Sequence, residues 1–133
     1  MGDGSEAAIA AAREHLAIGG LSRGSMYAYS VGMGRCLDLA ANFCCFSVGY
    51  QPGLVQILEG EACRELPIQC YVASVGLRDN PEYVRPHRQH YEILCRDVER
   101  LRDGENARLL EIDEGHDFLM WSASVYDALL LMF

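Results

Sequence analysis

Hydrophobic residues in this chain form short continuous runs that alternate with longer amphipathic segments. Four of these runs have the length of buried β-strands: residues 15–21, 42–48, 68–75 and 108–112. Runs that are apolar on both faces are typical of strands in a parallel sheet, which helices cover on both sides. The pattern therefore predicts about four buried parallel strands.

The segments around the first three strands predict helices. A helix is predicted over residues 5–14, because Ser5 is a suitable N-cap and strong helix formers follow it. Residues 24–33 are expected to form a second helix, and residues 54–63 a short third one.

Residues 87–103 carry the clearest helical period of the chain. Gly104 is expected to end this helix. Its apolar positions are Tyr91, Leu94, Cys95, Val98 and Leu101. A final helix is predicted over residues 118–133, with one apolar stripe made of Trp121, Val125, Leu129 and Met132.

Helices and strands thus alternate along the whole chain. This order predicts right-handed crossovers and an α/β fold: a three-layer α/β/α arrangement around a short parallel sheet of about four strands. With 133 residues and no linker or repeat, residues 1–133 are expected to form one domain.

The composition excludes several classes of partner. The net charge is −8, every basic residue is Arg, and no basic patch is present, so we expect no nucleic-acid partner. No apolar run reaches the length of a membrane span, and the acidic, Ala-rich N-terminus is unlike a secretory leader. We therefore expect a cytoplasmic protein that does not enter a membrane.

The six cysteines match neither a zinc site nor a redox pair. Most lie in apolar stretches, so buried free thiols are expected, as in a reducing compartment. His87 and His90 lie close together, but no third ligand is evident, so we expect no metal site. No other cofactor is expected.

A G-x-S-x-G motif provides a candidate nucleophile. Gly20-Leu21-Ser22-Arg23-Gly24 lies between a predicted strand and a predicted helix, which is the context of a nucleophile elbow. The N–H groups at the start of that helix favour negative charge above Ser22, and the Arg23 N–H is a candidate oxyanion donor. Ser30 is a second candidate, but no strand precedes it.

A serine nucleophile needs a base, and the base needs a carboxylate that orients it. Asp79 follows the third predicted strand and His116 follows the fourth. Loops that follow parallel strands open on the same side of a sheet, so Ser22, Asp79 and His116 are expected to meet there. Asp117 is an alternative acid, although residues adjacent in a turn rarely orient each other's rings. His15, His87 and His90 fit no such position.

Several segments together resemble the C-terminal half of an α/β-hydrolase. These are HLAIGGLSRGSMYAY, NFCCFSVG, IQCYVASVGLRDN and EIDEGHDFLMW. They are similar to the esterase group that includes feruloyl and other cinnamoyl esterases and the enterochelin-esterase-like proteins. The resemblance implies ester hydrolysis through an acyl-enzyme, with Ser22 as nucleophile, His116 as general base and Asp79 as its orienting acid.

Two departures from that family shape the expectations. Arg23 stands where the family usually has Met, and the family's first half has no counterpart here. That half supplies further strands and a second oxyanion donor, so the edge of the first strand is expected to be bare and to pair with a second copy or with a partner protein. Two functions stay open: a minimal serine esterase acting on a small ester, and a weak or inactive remnant that serves as a structural or interaction domain.

Overall fold

A computed structural model describes residue 8 and residues 11–133 of the chain. Four parallel strands form one sheet in the order β1-β2-β3-β4. Their bounds are Ala17–Leu21 for β1, Asn42–Phe46 for β2, Cys70–Gly76 for β3 and Ala107–Ile112 for β4. The predicted parallel sheet of four strands is confirmed.

From β1 onward, four α-helices surround the sheet. They are α1, Arg23–Tyr27, which continues as a π-helical segment over Ala28–Met33; α2, Leu54–Leu58; α3, Pro81–Asp97; and α4, Phe118–Met132. Because the strands follow one another in sequence and right-handed crossovers join them, α1, α2 and α3 lie on one face. The last helix, α4, packs on β2, β3 and β4 from the opposite face.

The alternation of side chains along β2 divides the interior into two apolar cores. Phe43 and Cys45 face the larger core, beneath α1, the π-helical segment and α3. Cys44 and Phe46 face the smaller core, beneath α4. Both faces of the central strands are covered, which explains why these strands read as continuous apolar runs.

The prediction of a helix over residues 87–103 was wrong at both ends. Helix α3 begins at Pro81, because the Asn80 side chain accepts the Glu82 N–H at 2.9 Å and proline suits the first helical position. The helix ends at Asp97, because Val98 has an extended backbone. Gly104 lies in a later turn with φ +86°.

The apolar stripe predicted for the last helix was wrong in part: Met132 is buried as predicted, but Val125 and Leu129 are not. The residues of α4 that are buried are Met120, Ser124, Ala128 and Met132. Val125 and Leu129 are instead 42% and 51% exposed, and Trp121 is half-buried. The helix is apolar around most of its circumference, so periodicity could not select the buried face. This orientation leaves a broad apolar surface outside.

Other bounds differ by smaller amounts. The predicted Ser5 N-cap lies outside the described residues, whereas residues 8 and 11–14 are helical. The short helix predicted over 54–63 ends at Leu58, and turns follow it. All six cysteines are free thiols; Cys45 and Cys70 are buried, and the other four are half-buried. None of the helices in the described part of the chain is long and apolar enough to cross a membrane.

Candidate active site

Ser22 occupies a sharp turn between β1 and α1. Its backbone has φ +56° and ψ −123°, a conformation that few residues other than glycine adopt. The Ser22 N–H donates to the Phe46 carbonyl at 3.0 Å, which ties the turn to the end of β2. The serine is therefore held in a strained strand-to-helix turn, which is the geometry of a nucleophile elbow.

Asp79 and His116 lie on two loops that touch each other. Asp79 follows β3 and His116 follows β4. The loops approach so closely at Gly76 that a Cβ there would lie 2.6 Å from the Glu114 carbonyl oxygen and 2.8 Å from that of Gly115. The Arg78 guanidinium also joins the loops, because it donates to the Asp113 carbonyl at 2.6 Å. Glycine at position 76 thus permits the contact that brings the acid to the histidine.

The three side chains form a continuous hydrogen-bonded relay. Ser22 Oγ lies 2.8 Å from His116 Nε2, and His116 Nδ1 lies 2.8 Å from Asp79 Oδ2. An ionised carboxylate only accepts hydrogen bonds, so Nδ1 carries the proton. The Nε2 lone pair is then left to accept the hydroxyl proton of Ser22. The structure brings the three residues together in the arrangement of a serine nucleophile, a general base and an orienting acid.

The exposed fraction of the side chain rises from Asp79 to His116 in this relay. The Asp79 side chain is 3% exposed, whereas that of His116 is 30% exposed and can meet a substrate. Asp79 Oδ1 accepts the Asn80 N–H at 2.7 Å, which leaves Oδ2 for the histidine. Aromatic rings flank the imidazole: the Tyr83 centroid is 5.5 Å away, and the Trp121 centroid is 5.2 Å away in an edge-on contact.

Ser47 is a residue of this site that the sequence analysis missed. It follows β2 directly, is fully buried, and accepts the indole N–H of Trp121 at 2.7 Å. Its backbone has φ +82°. The only signal in the sequence was a serine at the end of an apolar strand, which is too common to indicate a role.

The backbone beside Ser22 offers one donor for an oxyanion. Arg23 is the first residue of α1, so its N–H has no acceptor within the helix. Ester hydrolases generally use two such donors. The second donor of this site is not defined by the residues around Ser22.

An open apolar groove of about 420 Å³, the α4 groove, runs beside the relay. It is lined by Leu21, Phe118, Trp121, Ser122, Val125, Tyr126 and Leu129. Leu21 precedes the candidate nucleophile, and Trp121 contacts the candidate base. A ligand in this groove would contact Leu21 and Trp121 and would thus lie next to the relay. An apolar groove that ends at a few polar groups is the usual form of a small-molecule site.

The alternative candidates lie elsewhere or have structural roles. Ser30 lies within the π-helical segment and not after a strand. Asp117 is the N-cap of α4, where its carboxylate accepts the Met120 N–H at 3.0 Å. His15 is exposed and precedes β1, at the opposite end of that strand from Ser22. Within residues 8 and 11–133, no cluster of His, Cys, Asp and Glu could hold a metal ion.

His87 and His90 belong to the core on the opposite side of the sheet. The Tyr29 hydroxyl bonds the Tyr71 hydroxyl and lies 2.8 Å from His87 Nε2. His90 packs its ring against Tyr29, with centroids 4.8 Å apart. Burial favours the neutral imidazole and lowers the pKa of each histidine to about 4.

The strand order, the elbow after β1 and the loops after β3 and β4 together define half of an α/β-hydrolase-type architecture. A solved structure described as FAE is similar to this chain, with a TM-score of 0.72 and 23% identity. A mutant of the feruloyl esterase module from Clostridium thermocellum, complexed with sinapinate, has a TM-score of 0.69 and 23% identity. Each comparison covers 94% of this chain and 47% of the other.

The chain thus spans about half the length of the solved structures it matches. At this level of identity the similarity shows a shared fold, and it confirms the expected fold, a short parallel sheet corresponding to about half of an α/β-hydrolase. No protein-family model matches the chain, and no curated protein is significantly similar in sequence.

Proposed function

We propose that the chain is a serine hydrolase of small carboxylic esters. The observation that carries this proposal is the relay from Ser22 Oγ to His116 Nε2 and from His116 Nδ1 to Asp79, with both contacts at 2.8 Å. The strained backbone at Ser22 supports it further, since such conformations concentrate at functional sites.

The reaction follows from the positions of these atoms. Ser22 Oγ attacks the ester carbonyl carbon while His116 Nε2 takes the hydroxyl proton, and Asp79 stabilises the imidazolium that forms. The Arg23 N–H donates to the oxyanion. The alcohol leaves with the proton from His116, and Ser22 keeps the acyl group. Water then attacks the acyl carbon and gives a proton to His116. The bond between Ser22 Oγ and the acyl carbon breaks, the acid leaves, and His116 returns the proton to Ser22 Oγ.

The α4 groove supports a narrower substrate class. Its wall is apolar and aromatic, with Phe118, Trp121 and Tyr126 on one side and Leu21 on the other. Flat aromatic groups bind well between such side chains. We propose esters with an aromatic acyl group, of the cinnamoyl type, as the preferred substrates.

We further propose that a second copy of the chain pairs at β1. Among the described residues β1 is an edge strand. The Ser22 N–H points at β2, and backbone groups of successive residues point to alternate sides of a strand. The N–H and C=O groups of Ala17, Gly19 and Leu21 therefore point away from the sheet. Apolar grooves flank this edge on both faces of the sheet. No charged side chain lines either groove, so the net charge of −8 does not oppose pairing there.

Covalent labelling of the serine tests the proposed chemistry without a choice of ester. A fluorophosphonate should react with one serine, and tryptic mass spectrometry should locate the adduct at Ser22. Ser22→Ala and His116→Gln should abolish the adduct, whereas Ser30→Ala should keep it. A folded wild-type chain that stays unlabelled contradicts the proposal and supports the alternative, an inactive structural or interaction domain.

A further inference from the structure

Ser22 and Ser47 are the two non-glycine residues with positive φ in the described part of the chain. They stand side by side in the sheet: Ser22 follows Leu21 in β1, Ser47 follows Phe46 in β2, and Leu21 and Phe46 are partners in the parallel register. The strain at Ser22 belongs to the elbow. The strain at Ser47, with φ +82°, has no part in the proposed reaction sequence and requires its own explanation.

The surroundings of Ser47 show what this conformation achieves. Its N–H donates to the Ser74 carbonyl at 2.8 Å, which anchors the turn to β3. Its hydroxyl oxygen accepts the indole N–H of Trp121 at 2.7 Å, and the hydroxyl lies 3.5 Å from Met120 Sδ. The uncommon backbone therefore aims a buried hydroxyl at the first turn of α4.

Trp121 in turn contacts the imidazole of His116. The ring centroids are 5.2 Å apart and the rings stand at 81°, an edge-on contact. On the side away from Ser22, Asp79 holds His116 through one hydrogen bond at Nδ1, and a single bond does not fix the tilt of the ring. Tyr83 and Trp121 are the rings beside it, and only the indole is tied to the sheet by a hydrogen bond.

We propose that Ser47 is a positioning residue for the ester hydrolysis proposed above, on which this inference rests. The Ser47 hydroxyl holds the Trp121 indole, and the indole keeps His116 Nε2 directed at Ser22 Oγ. Ser47 touches neither substrate nor the reacting atoms; its effect passes through one buried side chain. Removing the hydroxyl should loosen His116 while the fold stays intact.

Substitution by glycine separates this role from a structural one. Glycine accepts φ +82° without strain, so Ser47→Gly should unfold at the same or a higher denaturant concentration than the wild type. Ser47→Ala loses the same hydroxyl and keeps the strain. Ser74→Ala is the matched control, because Ser74 is also fully buried, within β3, but bonds Ser124 and not Trp121.

Fluorescence reports the contact between Ser47 and Trp121 without any turnover, since Trp121 is the one tryptophan in the chain. Acrylamide quenches the emission of an indole that it can reach. Ser47→Gly should therefore make the Trp121 emission at least twofold more sensitive to acrylamide, while Ser74→Ala keeps the wild-type sensitivity.

Kinetics on a p-nitrophenyl ester complete the test. Ser47→Gly should lower kcat roughly tenfold with little change in KM, because a misplaced base slows the chemical step. Trp121→Phe should lower kcat by a similar factor and should also change KM, because Trp121 lines the α4 groove. The double variant should be no worse than either single one. A folded Ser47→Gly protein with the wild-type sensitivity to acrylamide or the wild-type kcat overturns the positioning role. Absence of Ser22-dependent hydrolysis in the wild type contradicts the proposed function instead, and acrylamide quenching still tests the contact between Ser47 and Trp121.

Discussion

Gly20 lies directly against the backbone of Gly24. A Cβ at position 20 would overlap the Gly24 carbonyl group and would lie 2.9 Å from the Ser25 nitrogen. At Gly24 itself a Cβ would meet nothing within 4 Å. The two glycines of the motif around Ser22 therefore differ: the first allows β1 and α1 to approach each other, and the second has no steric requirement.

This difference predicts opposite results for the same substitution. Gly20→Ala should force β1 and α1 apart and lower the free energy of unfolding by about 2 kcal/mol or more. Gly24→Ala, in the first turn of a helix, should leave it unchanged or raise it slightly. Urea denaturation of both variants measures the effect. Equal stability of the two variants would show that the turn is looser than this contact requires.

The orientation of His116 depends on the charge of Asp79. In Asp79→Asn the amide can donate to Nδ1, so that Nε2 carries the proton and no longer accepts from Ser22 Oγ. We expect kcat for a p-nitrophenyl ester to fall by roughly ten-thousandfold with the fold retained. Asp117→Asn is the control, because asparagine also caps helices and Asp117 does not bond His116. Similar rates in the two variants would show that Asp79 is not the acid that orients His116.

Stability should fall as the solution becomes acidic because of His87 and His90. Each has a pKa lowered by burial to about 4, against 6.5 in the unfolded chain. Between these values the unfolded chain binds protons that the folded chain does not, so lowering the pH favours unfolding. Between pH 7 and pH 5 each histidine should cost roughly 2 kcal/mol.

Denaturation at several pH values checks this prediction. In His90→Gln the loss of unfolding free energy between pH 7 and pH 5 should be smaller than in the wild type, by roughly the 2 kcal/mol expected for one histidine. His15→Gln removes an exposed histidine and serves as the control. If wild type and His90→Gln lose stability in parallel, His90 does not carry the dependence.

Pairing of two copies at β1 predicts a specific effect of charge on α4. Light scattering at micromolar concentration should give twice the mass of the chain. Leu129 lines the apolar groove beside β1, so Leu129→Glu should dissociate the dimer. Leu130 is 66% exposed and lines neither the groove beside β1 nor the α4 groove. The Leu130→Glu variant should therefore remain dimeric. A monomeric wild-type protein contradicts the homodimer and favours a different partner at this edge.

The sheet could be predicted because each strand is an apolar run of its own, and local pattern is sufficient for that. The end of α3 could not be predicted from this pattern, because a side chain outside the helix, that of Asn106, holds the turns that follow it. Asn106 donates to the carbonyls of Arg100 and Ile68 and accepts the Arg102 N–H, so residues after Asp97 form turns although Val98 and Leu101 keep the helical spacing. Sequence periodicity follows burial, and here burial continues after the helix has ended.

The grouping of Ser22, Asp79 and His116 followed from their places after parallel strands, and the structure brings them within hydrogen-bond distance. The support behind the histidine could not be predicted. Ser47 and Trp121 are 74 positions apart, and their contact depends on which face α4 turns to the sheet. That face is the one feature of the helix that its nearly uniform apolar sequence does not specify.

Hydrolysis of p-nitrophenyl acetate by the wild type, Ser22→Ala and Ser30→Ala tests the central claim most directly. The wild type and Ser30→Ala should release p-nitrophenol at the same rate above the buffer background. Ser22→Ala should fall to that background, because Ser22 Oγ is the hydroxyl that lies at His116 Nε2 within the described part of the chain. Equal rates for the wild type and Ser22→Ala would contradict the assignment of Ser22 as a nucleophile.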